Sequence, residues 1–554
     1  MKFQKIILYF LSIISFSVSA QNMADYTNNW EGKIKNENVF NFSIEITGLQ
    51  TEKPILIISN NKAIIEQSFK KTDPKLIHVK LGENLSFQGV LSNKSNEING
   101  FIKSGMLLYH VKLTKTKTGS FTGVWNILMV DELKSQNFYL SIENGSGDSY
   151  QAYPILGDNR FTGTWCGNFQ KKNDTIFFSD IKTGLKFKGE LGNEKIQLSI
   201  YLEHYLVTQI VLNISKNDWQ IGGFETIKQD RIYQNIQLSE LENLILKDSL
   251  PNTHAVLISK NGKIIYENYF DGYNKEIPHD MRSASKSISS AIVGIAETKS
   301  LFTSVEQSIF DFLPNTYQPL KDSLKSQIDI QSLLTMSSGL DADDYTRERR
   351  STASENNYQP SRDWTETVLK AEMLSKPNKH ANYGSANPYL LGVAIDSVVL
   401  EPLELFMDKN LFQKLEISNY IIQTDIKGRP YFGGGMYLTP RDMMRFGQLY
   451  LLKGIWKNEQ VLSEQWVVNS FKNYHDLENV PKKNGYGYLW WHNTYQVNEK
   501  IIKSIEARGN GGQYIFVIPE LETVVVITSG NFRNGKFQQP ELILEKYILP
   551  NIQN

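Results

Sequence analysis

The stretch Met281-Arg-Ser-Ala-Ser-Lys-Ser-Ile-Ser-Ser-Ala-Ile-Val-Gly-Ile-Ala296 sets a serine and a lysine at the start of an apolar-periodic run. Ile288, Ala291, Ile292 and Ile295 recur at steps of three and four, which predicts a helix with Ser283 at its N-terminus. Three residues is close to one helical turn, so Lys286 faces the same way as Ser283. A serine hydroxyl is a weak nucleophile at neutral pH. A neighbouring amine can accept its proton once burial and nearby positive charge lower the amine's pKa, and a helix N-terminus supplies part of that field. The pattern points to covalent acyl transfer. Ser-x-x-Lys by itself is a weak signal, because it also occurs at Ser59/Lys62, Ser68/Lys71 and Ser179/Lys182, none of which opens an apolar-periodic helix. On the tetrapeptide alone Ser283 reads as a helix cap and Lys286 as a solvated lysine; the rest of the chain decides between the readings.

At 554 residues the chain exceeds one hydrophobic core, so two or three domains are expected. Lys+Arg and Asp+Glu are both 59, which leaves no basic surplus for a nucleic-acid or anionic-membrane partner. Residues 1–20 carry Lys2 and Lys5, an apolar run from Ile6 to Phe16, and Val18-Ser19-Ala20 before Gln21, the layout of a cleavable secretory signal. Export to the periplasm or the extracellular space is expected, with no membrane span after cleavage; an uncleaved anchor is the alternative. Cys166 is the only cysteine, so no intramolecular disulfide can form, and it reads as a buried small residue beside Trp165.

From about Asn28 to Gly223, alternating polar and apolar residues punctuated by Gly, Asn and Asp read as short strands and turns. Leu85-Ser-Phe-Gln-Gly-Val-Leu-Ser-Asn93 matches Leu185-Lys-Phe-Lys-Gly-Glu-Leu-Gly-Asn193, which suggests two β-rich repeats, residues 21–120 and 121–223. Trp30 and Trp125 are expected in their cores; a ligand groove lined by these aromatics is the alternative, and a polymer or protein is the ligand such repeats could take. A second domain is expected over residues 236–554. Leu238, Leu241, Leu244 and Ile245 mark a helix, strands from His254 to Ser259 and Lys263 to Phe270 flank an Asn261-Gly262 hairpin turn, and Thr439-Pro440-Arg441-Asp442 opens another helix. The end returns to strands at Tyr514–Pro519 and Thr523–Thr528, then a helix from Leu542 to Leu549.

Beyond Ser283 and Lys286, the chain carries Leu333-Leu-Thr-Met-Ser-Ser-Gly-Leu340, Tyr383-Gly384-Ser385 ahead of Tyr389-Leu-Leu-Gly392, Gly433-Gly-Gly-Met-Tyr-Leu-Thr-Pro-Arg-Asp442 and Gly509-Asn510-Gly511-Gly512-Gln513 before a strand pair. In this order the motifs resemble the serine β-lactamase and penicillin-binding-protein superfamily, in particular its esterase-like branch related to class C β-lactamases, over about residues 236–550. The resemblance implies an α+β catalytic domain, an antiparallel sheet flanked by helices with a mostly helical subdomain, behind the all-β N-terminal region. It implies a serine hydrolase with Ser283 as nucleophile, Lys286 and Tyr383 as its acid/base pair, and the N–H groups of Ser283 and Asn510 as the oxyanion hole.

Ser385 stands where the family's second motif has Asn, as a partner for Lys286 or substrate. The third motif, Lys-Thr-Gly or His-x-Gly in the family, falls at Ala507-Arg508-Gly509. Gly509 keeps the strand edge open to substrate. Ala507 cannot hold a substrate carboxylate, and Arg508 replaces it only if its side chain turns into the site; strand alternation favours a solvated arginine instead. An ester or unactivated amide is therefore the expected substrate. A D-amino-acid peptidase or β-lactamase acting on cell-wall fragments is one alternative, and a non-catalytic sensor or binding module is another. No cofactor is required, and the eight histidines show no metal-ligand spacing. Asp341, Asp343 and Asp344 read as a solvated acidic loop at the site mouth. With the repeats read as a separate module, their deletion is expected to spare hydrolysis of a small ester.

Overall fold

The computed structural model describes residues 26–60, 64–71, 73–129, 136–145, 149–156, 166–215, 230–346, 350–482 and 484–552. The signal expected at residues 1–20, Trp165 and much of the junction before residue 236 lie outside them. Among the described residues no helix is long and apolar enough to cross a membrane.

Thr523–Ser529 shows how the C-terminal half is layered. Its Val524 and Val526 belong to one apolar core, while Val525 and Ile527 belong to another, so the strand is covered on both faces. That explains a continuous Val-Val-Val-Ile run where a half-exposed strand would alternate. The strand is central in a nine-stranded sheet, between Thr253–Lys260 and Gln513–Ile518, with Lys500–Gly509, Trp490–Val497, Gly485–Gly487 and His475–Asp476 following on one side. Lys263–Tyr269 and Asp230–Gln234 complete the other side, and the pairings are antiparallel. Asn261 and Gly262 take φ of 51° and 73°, the left-handed pair that a tight two-residue hairpin requires.

The helix Pro440–Leu451 covers one face. The Thr439 side chain accepts from the Asp442 N–H, Pro440 occupies the first turn, and Met443, Phe446 and Tyr450 are buried. Ser239–Leu246 and the C-terminal Gln539–Ile543 and Leu549–Ile552 cover the other. The helical part packs Lys286–Thr298 against Ala386–Val398 in the first core.

The N-terminal half is all β. In one sheet the order is Ile64–Ser68, Ile55–Ser59, Asn41–Thr47, Phe121–Asn126, Leu107–Lys115, and then Glu97–Ser104, Leu85–Leu91 and Leu76–Lys80. The other runs Tyr150–Leu156, Asn137–Asn144, Asn29–Lys33, Tyr205–Ile214, Lys195–Leu202, Leu185–Gly192, Thr175–Asp180, Cys166–Lys172. The matched stretches at Leu85 and Leu185 hold corresponding places in the two sheets. Hydrogen bonding does not divide at residue 120, however. Asn29–Lys33 lies between strands of the later half, and Phe121–Asn126 between strands of the earlier one. Trp30 and Trp125 are buried in one core shared by both sheets, so neither lines a groove. Cys166 is half-buried, and burial pushes its thiol pKa up.

The two halves of the chain are also joined by a strand pair. Ile421, Ile422 and Gln423 pair with Tyr109, Leu108 and Leu107, and Met436–Leu438 and His279–Asp280 extend this sheet to the residues just before Ser283. Ile421 and Tyr437 enter the N-terminal core. Deleting the β-region would therefore bare a strand edge and part of an apolar core in the C-terminal half, which bears on the expectation that deletion spares small-ester hydrolysis.

Candidate active site

Ser283 lies in a 3₁₀ turn, Arg282–Ser285, that leads into the α-helix Lys286–Thr298. The turn is pinned from two sides. Met281 N–H donates to the Met436 carbonyl at 2.8 Å, and the edge of Lys500–Gly509 lies so close that a β-carbon on Gly509 would come within 2.1 Å of the Met281 oxygen. Only glycine lets the strand edge reach the serine's turn.

Lys286 is 1% exposed, and its Nζ donates to Ser283 Oγ at 2.8 Å and to the Gly433 carbonyl. Burial lowers its pKa; the carboxyl groups of Glu355 and Asp344 oppose the shift without cancelling it. Tyr383 is also buried, with its ring centroid 5.2 Å from Lys286 Nζ. Burial raises its pKa strongly, and a hydrogen bond with Ser283 works the other way. The arrangement therefore pairs an amine that loses its proton easily with a phenol that keeps it.

The tyrosine is held through its backbone and its ring. Asn479 accepts from the Tyr383 N–H at 2.8 Å and donates to the Tyr383 carbonyl at 3.1 Å, while Trp491 lies 5.0 Å from the ring. Ser385 is buried beside Tyr383 at the start of Ala386–Val398, where its N–H donates to Asp344 Oδ2 at 2.6 Å.

These residues open onto a cavity of about 910 Å³ whose lining includes Ser283, Tyr383, Ser385, Arg508, Gly509 and Asn510, so the structure brings together the sequence-predicted residues with pocket-facing side chains or backbone. The size suits a small organic molecule. Lys286 lies behind Ser283.

Two expectations are corrected. Arg508 is 8% exposed and lines the cavity. It does alternate away from Ala507, but the face it reaches is closed by the C-terminal segment. Its Nε donates to Glu506 at 2.6 Å, its Nη1 lies 3.3 Å from Glu541, and Trp491 and Tyr514 flank the guanidinium. Its Nη2 is buried and has no hydrogen-bond partner among the described residues. The acidic loop is likewise structural. Asp341 is buried and accepts from Thr352, Asp343 accepts from Tyr345, Thr346 and Asn479, and Asp344 accepts from Glu355 and Ser385 backbone N–H groups. Each carboxylate ties chain segments that wall the cavity.

Sequence reasoning missed Glu355. It lines the cavity and accepts from Tyr431 at 2.7 Å and from Gln359 at 3.0 Å, with its pKa raised by burial and by Asp344. No motif marks it. A Ser354-Glu355 helix start was the only local signal.

A buried lysine bonded to a serine at a helix start, set between an antiparallel sheet and a helical lobe, is the architecture of the serine β-lactamase and penicillin-binding-protein superfamily. The Beta-lactamase family model matches residues 252–546, and the chain belongs to that family. Solved structures with a similar fold include a putative 6-aminohexanoate-dimer hydrolase from Bacillus anthracis, at 18% identity and TM-score 0.46, covering 59% of this chain and 92% of that one. EstCE1, a hydrolase with promiscuous acyltransferase activity, aligns at 16% identity and TM-score 0.45 over 56% of this chain and 97% of its own. A β-lactamase/D-alanine carboxypeptidase from Yersinia pestis aligns at 15% identity and TM-score 0.43 over 57% and 99%. None of the curated proteins compared matches the chain.

Proposed function

We propose that the protein is an exported serine hydrolase that forms an acyl-enzyme on Ser283 and acts on a carboxylic ester or amide. The observation that carries the reading is the 2.8 Å contact from a buried Lys286 Nζ to Ser283 Oγ. With its pKa lowered, Lys286 takes the hydroxyl proton as Oγ bonds to the carbonyl carbon. The carbonyl oxygen becomes the oxyanion and is received by the Ser283 and Asn510 N–H groups. Collapse breaks the bond to the leaving oxygen or nitrogen, which takes a proton by way of Tyr383. A water then repeats the sequence on the acyl-serine and frees the acid.

Substrate choice follows from charge. Ala507 offers no cation at the third-motif strand, Arg508 is already bonded to two carboxylates, and Arg350 on the cavity wall is exposed and bonded to the Asn356 carbonyl, so a neutral acyl group fits better than the carboxylate of a β-lactam or a peptide C-terminus. One feature favours the second reading, a D-amino-acid peptide or β-lactam: the unpartnered Arg508 Nη2 is a donor at the cavity wall. A purified protein assayed with a short-chain chromogenic ester and a chromogenic cephalosporin, with Ser283→Ala alongside, separates the readings. Ester turnover lost in the variant and slow cephalosporin turnover support the hydrolase; faster cephalosporin turnover favours the alternative. Export rests on residues 1–20, and the mass of the mature N-terminus checks it.

A further inference from the structure

The β-region places one cation directly under the nucleophile's turn. Lys182 follows the strand Thr175–Asp180 and is 0% exposed. Its Nζ lies 3.5 Å from Asp280 Oδ2 and 5.1 Å from the Tyr437 ring centroid. Its loop is locked on both sides. Asp180 accepts from the Lys182 N–H at 3.0 Å and from Thr183 Oγ1 at 2.7 Å, Ser104 donates to the Thr183 carbonyl at 2.6 Å, and Met106 N–H donates to the Lys182 carbonyl at 2.9 Å.

Asp280 carries the effect onward. Its Oδ1 accepts from the Arg282 N–H at 3.0 Å and its Oδ2 lies 3.1 Å from Arg282 Nε. Arg282 adopts φ of 49°, a left-handed conformation that costs energy in a non-glycine residue and persists only where its surroundings enforce it. The next peptide carries the Ser283 N–H, so the angle held at Arg282 sets where that donor points. A carboxylate this buried needs compensation, and Lys182 and Arg282 supply two positive charges against Asp280 and Asp180.

We infer that Lys182 is a positioning residue for the nucleophile: the N-terminal β-region supplies the buried cation that keeps Asp280 ionised and clamped on the strained Arg282 backbone, and so orients the Ser283 N–H. This rests on the reading of Ser283 as nucleophile. An oxyanion donor acts on the transition state and not on ground-state binding, so its misalignment lowers kcat and leaves KM alone.

The experiment compares full-length wild type, Lys182→Met, Lys182→Arg and Ser283→Ala in hydrolysis of a short-chain chromogenic ester, with hydrogen–deuterium exchange followed over residues 279–285. The expected result for Lys182→Met is a kcat lower by ~10- to 100-fold with KM within about twofold, and faster exchange over 279–285 than wild type while Pro440–Leu451 is unchanged. Lys182→Arg, which keeps the charge, should recover most of kcat and of the protection. Wild-type kcat and exchange in Lys182→Met would overturn the inference. If Lys182→Met does not fold, Lys182→Arg decides: near-wild-type kcat and protection support the role of charge, and a loss of both overturns it. Absence of any Ser283-dependent turnover in wild type would count against the hydrolase reading, and exchange over 279–285 would still test the clamp.

Discussion

Two Ser-x-x-Lys tetrapeptides in this chain bury their lysines almost completely, Lys286 at 1% and Lys182 at 0% exposure, and burial lowers both pKa values. Only one pair can do acyl chemistry. Ser283 and Lys286 stand one turn apart where a 3₁₀ turn meets a helix, so hydroxyl and amine meet at 2.8 Å. Ser179 lies on a strand and Lys182 in the turn after it, where the amine meets Asp280 instead. The same four-residue spelling sets a serine hydroxyl against a buried amine in one place and parts the two in the other, and the backbone conformation makes the difference.

That contrast can be broken most easily at the serines. Ser283→Ala should lower ester turnover by ~10³-fold or more, whereas Ser179→Ala should stay within about twofold of wild type. Equal losses in steady-state assays would end the distinction. Tyr383→Phe should cost on the order of 10²-fold in kcat, because the ring still packs on Trp491 but no proton can pass.

A finer test uses pH. Turnover requires neutral Lys286, so kcat/KM should rise with pH and reach its plateau below the ordinary lysine range. The Glu355 carboxyl raises the Lys286 pKa, so Glu355→Gln should move the rising limb to lower pH. A limb that moves upward or stays fixed in a pH–rate profile would remove Glu355 from the electrostatics of the site.

A separate test concerns stability. His279, beside Asp280, is buried, and burial lowers its pKa from 6.5 to about 3 against the opposing pull of a hydrogen bond to the Ile277 backbone. Because the folded pKa is depressed, its contribution is fully present above pH 6.5 and is lost as pH falls toward about 3. The slope from this residue should approach ~1.4 kcal/mol per pH unit within that window. Chemical denaturation of His279→Leu across the same range should show a shallower decline; an unchanged slope would assign the acid sensitivity to other groups.

Much of the C-terminal half was legible because its signals are local. The hairpin at Asn261-Gly262, the Thr439 cap and the periodicity after Ser283 each depend on a few neighbouring residues, and each element stands where its signal lies. What was not legible depends on chain closure. Arg508 reads as solvated from sequence because Glu541, which closes over it, comes from the distant C-terminal segment. Asp341, Asp343 and Asp344 read as a solvated loop because their partners Thr352, Glu355 and Asn479 come from separate segments. Ser179-Asp-Ile-Lys182 opens no apolar-periodic helix, and the partner of Lys182, Asp280, lies across the join between the two halves.

The most direct test of the central claim is to trap the covalent intermediate. After incubation with a serine-directed organophosphonate ester and proteolysis, mass spectrometry should find the adduct on the peptide bearing Ser283, with labelling lost in Ser283→Ala and slowed in Lys286→Met. An adduct on any other serine, or labelling that survives Ser283→Ala, would contradict the assignment of Ser283 as the nucleophile.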